Sequence, residues 1–313
     1  MTVLPVSLII ATRDRRDRLL QTLQSLLAQD HVPKEWIIID ASAPPVTVPD
    51  LPELPREVTV RCCAAHVRGA AAQRNQGFNL STQPHLLWLD DDVDLQAGCL
   101  GALWQCLQAD PAVGGCSAHV LNATYHPPGP GLRQVLGWLG CPKAGSLAGT
   151  CCGPALNFLP AESTPAVDWL NLGCALYRRA ALPQPPFLPF FHGYSLMEDV
   201  ALSLEVGRRW KLVCPTSARL VHDPRPAPYK DEVFVRERME VVNRSFVMRI
   251  ILGRLGPRWV IRQAAFQVLM LLLPLRSPAG WRQLPFALAG KAAGLLAVLR
   301  HHRRWTGYSS LTA

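Results

Sequence analysis

The densest chemical signal in this 313-residue chain is LLWLDDDVDL (86–95), in which Asp90, Asp91, Asp92 and Asp94 follow an apolar run. On an extended chain Asp90 and Asp92 point to the same side. Carboxylates that close repel and cannot both stay ionised without compensation. A hard divalent cation, Mg2+ or Mn2+, supplies that compensation through oxygen ligands, and its open positions take phosphate oxygens. The competing reading is an acidic turn that caps the next helix, which four acids fixed behind LLWL at the rim of a core fit less well. A second pair, Glu198 and Asp199 in GYSLMEDVALSLEVGRRW, opens a helix after an aromatic, glycine-containing loop. Acids there stabilise the helix macrodipole without further purpose, or serve as a general base over a metal site. His222, in SARLVHD, is either a structural residue or, beside a metal–phosphate site, a ligand. Arg74, in RGAAAQRNQGFN (68–79), lies among small residues that allow close helix packing and can meet a phosphate or carboxylate as a bidentate donor.

These groups need a scaffold, and the first half of the chain reads as one. Short β-rich runs alternate with helical patterns, the signature of an α/β sheet. VSLIIA (6–11), WIIID (36–40), VTVRCC (58–63) and LLWLD (86–90) are strand candidates. Between them, Leu19, Leu20, Leu23, Leu26 and Leu27 mark a helix with Asp14 or Asp17 available as cap, a small-residue helix runs from about Gly69 to Leu80, and another follows near 97–108. Acids at the carboxyl end of a strand sit where open α/β sheets bind ligands. Residues 108–168 are rich in Gly and Pro and predict one strand (VGGCSAHVLN) and a short helix around Val135–Leu139. CALYRR (174–179) predicts a strand, 198–210 a helix and KLVCPTSARLVH (211–222) an extended segment. There is no internal repeat of solenoid period.

Charge divides the chain unevenly. Residues 236–313 hold 13 Lys or Arg against Glu237 and Glu240, while the other 235 residues hold 19 basic and 21 acidic side chains, so a near-neutral body carries a basic tail. The tail predicts helices: VFVRERMEVVNRSFVMRIIL, then VIRQAAFQVLMLLLPL (260–275) and PFALAGKAAGLLAVL (285–299), the last two too short or too interrupted by Arg262 and Lys291 to span a bilayer. Arginine beside Leu, Phe and Trp suits helices lying in the interface of an anionic membrane; packing on the α/β body or on a second subunit is the alternative. Nucleic acid is excluded as a partner because the basic residues are interleaved with Leu and Val. The start, MTVLPVSLIIATRDRR, reads as a first core strand rather than a secretion signal. The ten cysteines, with adjacent pairs Cys62-Cys63 and Cys151-Cys152, show no CxxC spacing and read as reduced thiols rather than a disulfide or zinc framework.

In order along the chain, these pieces resemble a family 2 glycosyltransferase over roughly residues 5–223. SLIIATRDRRDRLLQTLQSLLAQ is similar to that family's opening strand, turn and helix; IIIDAS follows, then GAAAQRNQGF like its Ala-Arg-Asn-x-Gly helix, LDDDVD as its Asp-x-Asp element, NLGCALYRRAAL, MEDVALSLEVGRRW as its Glu-Asp helix, and LVHD. The resemblance implies a GT-A-type, Rossmann-like mixed sheet flanked by helices, as a catalytic domain (1–228) with a basic, amphipathic helical extension (229–313). It implies an inverting, metal-dependent transfer of a hexosyl or deoxyhexosyl group from a UDP- or dTDP-sugar to a glycan or lipid-linked acceptor, in cell-envelope polysaccharide synthesis at the inner membrane face. Thr12, Arg13, Asp40, Arg74, Asp90 and Asp91 would serve the donor, and Asp92 and His222 the Mn2+ or Mg2+ ion. Asp199 would be the base with Glu198 beside it, and Gly173 and Cys174 would line the acceptor side. Two departures bear on the nucleotide: Arg13 replaces the usual aromatic, and Ala41-Ser42 replaces the usual acid or amide and glycine. The Gln-x-x-Arg-Trp element of processive synthases is missing. Rival expectations are a non-catalytic nucleotide-sugar-binding or scaffold protein of the same fold, and a nucleotidyltransferase; the latter calls for a Gly-rich loop where this chain has TRDRRDR. A homodimer formed through 231–313 is a further expectation.

Overall fold

The computed structural model describes residues 1–122, 129–139, 145–147, 150, 156, 163–223 and 232–305. The expected domain boundary at 228/229 and the Cys151-Cys152 pair lie outside the described residues. The chain divides into two compact units, Met1–His126 with Ala155–Arg225 and Pro127–Pro154 with Pro226–Ala313.

The first unit is built on an eight-stranded mixed sheet. Its strands are β1 (Thr2–Thr12), β2 (His31–Asp40), β3 (Thr59–Ala64), β4 (His85–Asp90), β6 (Val113–Ser117), β8 (Ala166–Val167), β9 (Cys174–Arg178) and β10 (Lys211–Val213), in the order β3-β2-β1-β4-β9-β6-β10-β8. The first four are mutually parallel, and β9 enters antiparallel between β4 and β6. A second sheet, β5-β11-β7, uses β5 (Val93–Leu95), β11 (Arg219–His222) and β7 (His119–Val120). The helices are α1 (Arg16–Leu27), α2 (Ala70–Leu80), α3 (Cys99–Ala109) and α5 (Glu198–Val206). α4 belongs to the second unit.

Strands covered on both faces read as unbroken apolar runs, and Leu8, Ile9, Ile10, Ile37, Ile38, Leu87 and Trp88 are fully buried. On α1 the buried residues Leu19, Thr22, Leu23 and Leu26 recur at helical spacing. α2 presses on β1 through Gly77, where an added Cβ would lie 2.5 Å from Ile9 Cγ2. Two expectations are corrected. α1 has Arg15 at its N-cap with no side-chain cap bond; Asp14 instead adopts φ 55° and its N–H donates to Ser42 Oγ at 2.7 Å. The segments 113–122 and 211–222, each read as one extended piece, are divided between the two sheets. The described cysteines are free thiols.

The second unit holds α4 (Pro130–Trp138), α6 (Val233–Phe246) with a π-helical turn at Val247–Ile251, α7 (Pro257–Leu272) and α8 (Pro278–His301). α8 continues through Pro285. α6 and α8 approach closely because Gly290 and Gly294 have no Cβ; one added there would lie 2.5 Å from Phe234 O and 2.9 Å from Arg238 O. Lys291, 8% exposed, is paired with Glu237 at 2.6 Å and bonded to Gln267 Oε1 of α7 at 2.6 Å. Glu240 meets Arg244; burial alone would raise its carboxyl, but Arg244 and Lys291 outweigh that and hold it below the ordinary range. Contrary to the reading of 260–275 as too short, the helical segment Pro257–Arg276 has 20 residues and a mean hydropathy of 1.2, enough by length and composition alone to cross a bilayer.

Candidate active site

Parallel strands of matched register deliver their carboxyl ends to one edge. Thr12 lies opposite Asp40 on β2, Asp40 opposite Ala64 on β3, and Ala11 opposite Asp90 on β4. Thr12, Asp40 and Asp90 therefore end three neighbouring strands at one pole of the sheet. The chain turns after Asp90 into β5, whose partner β11 pairs His222 with Val93. That pairing, extended by Asp223 N–H to Asp92 O at 2.8 Å, carries His222 to the acidic corner. One ligand atom each from Asp90, Asp92 and His222 lies within 4.8 Å of the others.

The corner is held from below. Thr22 of α1, fully buried, donates to Asp91 O and Val93 O, and accepts from Val93 N–H. Arg18 meets both oxygens of Asp94, at 3.2 and 3.1 Å. Arg15 reaches Asp92 Oδ2 at 2.8 Å and Asp91 Oδ1 at 3.3 Å, while His222 Nε2 sits 3.0 Å from Asp92 Oδ1. Asp92 is 3% exposed and has one oxygen paired with the Arg15 guanidinium and the other in contact with the His222 imidazole. Burial, with the neighbouring Asp92 charge, pushes Asp91 up to about 6 against the hydrogen bond from Thr12 Oγ1 at 2.6 Å.

Arg74, on the buried face of α2, joins this corner to the second acid pair. Its guanidinium donates to Asp90 Oδ1 and to Glu198 Oε1, each at 2.8 Å. Burial works against the arginine charge, but Asp90 and Glu198 outweigh it and hold Arg74 protonated. Burial and the adjacent Asp199 lift Glu198 to about 8 despite Arg74. Burial likewise lifts Asp199 to about 6, against hydrogen bonding from Val200 N–H and the charge of Arg74. Tyr194 is pushed up to about 12 by burial and by the charges of Glu198, Asp90, Asp199 and Asp92, so it stands among the same acids.

The loop leading into Glu198 and Asp199 is strained and pinned. Gly193, Ser195 and Met197 all have positive φ, a conformation that costs non-glycine residues free energy. Gly69, at φ 139°, bridges to Gly193, where a Cβ would meet Gly193 N at 3.0 Å. Asn75 exchanges two hydrogen bonds with the backbone of Phe187.

Arg13 is half-buried and ion-paired with Asp14. Asp40 turns its carboxylate back onto Ser42 and Val46, accepting from both backbone N–H groups and from Ser42 Oγ. Gly173 O accepts from Asp90 N–H at 3.1 Å, beside the acidic corner. Cys174 corrects an expectation: its side chain is 1% exposed and its thiol lies against Cys99 in the core, because alternation along β9 turns it inward, so it lines no acceptor surface.

Arg15, Arg18, Thr22 and Gln73 were not picked out by sequence reasoning. Gln73, 4% exposed, donates to Thr12 O and Ile39 O and ties the ends of β1 and β2 together. The arginines had a signal, the basic run RDRRDR preceding the acids by some 75 positions, but spacing alone does not say which of them faces inward.

Residues 7–133 match glycosyl transferase family 2. No curated protein matches the chain. Its fold is similar to that of mannosyltransferase PcManGT from Pyrobaculum calidifontis, solved in complex with GDP-Man and Mn2+, at 19% identity and TM-score 0.51, covering 98% of this chain and 84% of that one. Glucosyl-3-phosphoglycerate synthase from Mycobacterium tuberculosis, solved with phosphoglyceric acid, is similar at 13% identity and TM-score 0.48, over 80% of this chain and 81% of that one.

Proposed function

We propose, from the premise that this is a family 2 glycosyltransferase of GT-A fold carrying the family's sequence over residues 7–133, that the protein moves a sugar from a nucleoside-diphosphate donor to an acceptor hydroxyl with inversion. The supporting observation is the meeting of Asp90, Asp92 and His222 within 4.8 Å, linked through Arg74 to Glu198 beside Asp199. Two carboxylates and an imidazole are a donor set for Mn2+ or Mg2+, and the buried Asp92 already draws Arg15 to one oxygen and His222 to the other. Such an ion, when bound, offsets charge on the leaving diphosphate.

The residues of the chain divide the remaining work. Thr12, Arg13 and Asp40 bound the nucleoside side and Arg74 fixes Asp90, while Arg15 and Asp91 complete the diphosphate corner. Asp199 accepts the proton of the acceptor hydroxyl as its oxygen forms the bond to the anomeric carbon and the bond to the diphosphate breaks. Glu198, held by Arg74, keeps Asp199 in place. Gly173 bounds the acceptor side. A UDP- or dTDP-linked hexose or deoxyhexose is the donor class, and a glycan or lipid-linked carrier of the cell envelope is the acceptor class. We assign catalysis to residues 1–228 apart from Pro127–Pro154, which belongs to the second unit; residues 229–313 hold the protein at the cytoplasmic face of the membrane or in a homodimer.

The test is a screen of nucleotide-sugars for turnover with Mn2+ or Mg2+. Turnover with one donor, abolished by chelator and by Asp92→Ala, is the expected result. Donor binding without turnover toward any acceptor would instead make the chain a non-catalytic binding protein.

A further inference from the structure

The second unit carries a surface the sugar-transfer chemistry does not use. At the start of α7 the guanidinium groups of Arg254, Arg258 and Arg262 surround one indole, Trp259, at 4.7, 5.0 and 5.3 Å from its ring. Among the described residues none of the three has a carboxylate partner, whereas Glu237 and Glu240 are committed inward to Lys291 and Arg244. Beside the arginines runs an outward apolar stripe at helical spacing, Val260, Ile261, Val268 and Leu272, each more than half exposed. Trp281 and Phe286 of α8 are each 60% exposed.

We infer that Arg254, Arg258 and Arg262, stacked on Trp259, bind the phosphates of anionic phospholipid headgroups, with α7 lying flat in the membrane interface. This deepens the membrane part of the proposed function and rests on it. Three points carry it. Guanidinium groups on an aromatic face keep their N–H edges free for phosphate oxygens. Trp281 of α8, 60% exposed, is of the type favoured at the depth where headgroup meets acyl chain. A patch of uncompensated positive charge beside exposed aliphatic side chains fits an anionic bilayer better than a second basic copy of itself.

The same structure argues against α7 crossing the bilayer, despite its length. Gln267 stands at the middle of the 20-residue segment Pro257–Arg276 and is bonded there to Lys291, which pairs with Glu237. A crossing helix would drag that ionic group to the bilayer midplane, where charges are costly. Lying flat, α7 turns Ile261, Val268 and Leu272 to the acyl chains and leaves Gln267, about a third of a turn round the helix, facing its partners.

The test is flotation of the full chain with phosphatidylcholine vesicles with and without phosphatidylglycerol. The wild type is expected to float only with the anionic vesicles and to be released by alkaline carbonate. The triple variant Arg254→Gln, Arg258→Gln, Arg262→Gln, checked for unchanged circular dichroism, should lose about a hundredfold in partitioning, since each basic residue near such a surface contributes about fivefold. Equal flotation of the triple variant would overturn the arginine cluster while leaving membrane attachment intact. Absence of wild-type flotation, with dimer mass by light scattering, would overturn both. Resistance to carbonate would show a crossing helix and overturn the flat arrangement. Because flotation reads no sugar transfer, failure of the transferase reading leaves this result unaffected.

Discussion

Two carboxylates adjacent in sequence are tuned to different degrees by burial and by Arg74. Glu198 is tied to Arg74 and lifted to about 8, while Asp199 is lifted to about 6. A general base must be ionised to accept a proton, and burial makes Asp199 hold its own proton to a higher pH than an ordinary aspartate. Transfer activity should therefore be full from about one pH unit above 6 and fall to half as the pH drops through about 6, a limb read from kcat/KM against pH. Asp199→Asn should lower kcat by about 10²–10⁴-fold with donor affinity little changed. An acid limb with its midpoint near the ordinary aspartate range, or near-normal turnover in the variant, would remove Asp199 from the role.

Short loops joined to long strands do the positioning. Gly69 bridges to Gly193 in a backbone region that side chains avoid, and Gly193 opens the strained run that ends at Met197, next to Glu198. Gly69→Ala should thus shift the Glu198-Asp199 loop and reduce kcat by more than about tenfold, because small misplacement of a catalytic group is costly, while the denaturation midpoint drops only modestly. The same contrast explains what could be read beforehand. Thr12, Asp40 and Asp90 were legible because each ends a run of buried aliphatic residues, and a parallel sheet brings such ends together. β5 and β11, with three and four residues, are too short for alternation to show, so the pairing of His222 with Val93 could not be read from the sequence. Cys174 was misplaced because a motif fixes the position of a residue but not the face of the strand on which it falls. Arg15 went unseen because its ion pairs with Asp91 and Asp92 join segments 76 and 77 positions apart.

At the scale of the chain, charge is segregated: 13 basic and two acidic residues lie in 236–313, and the remainder is slightly acidic. Both acids of that tail converge on Lys291, whose side chain is 9% exposed. Lys291→Met should cost about 3 kcal/mol, the penalty for leaving a buried partner uncompensated, and shows as a lower urea midpoint of the helical signal. A change below about 0.5 kcal/mol would mean that water reaches the network and screens it. The pairing of β11 with β5 has a consequence in time. His222 and Asp92 lie 130 positions apart, so at about 5–20 residues per second the ribosome emits the acidic turn on the order of ten seconds before its imidazole. A nascent chain arrested before residue 219 would carry the large sheet with Asp90 and Asp92 but without His222 beside them, so on the proposed reading its affinity for a divalent cation would rise only when the last strand emerged.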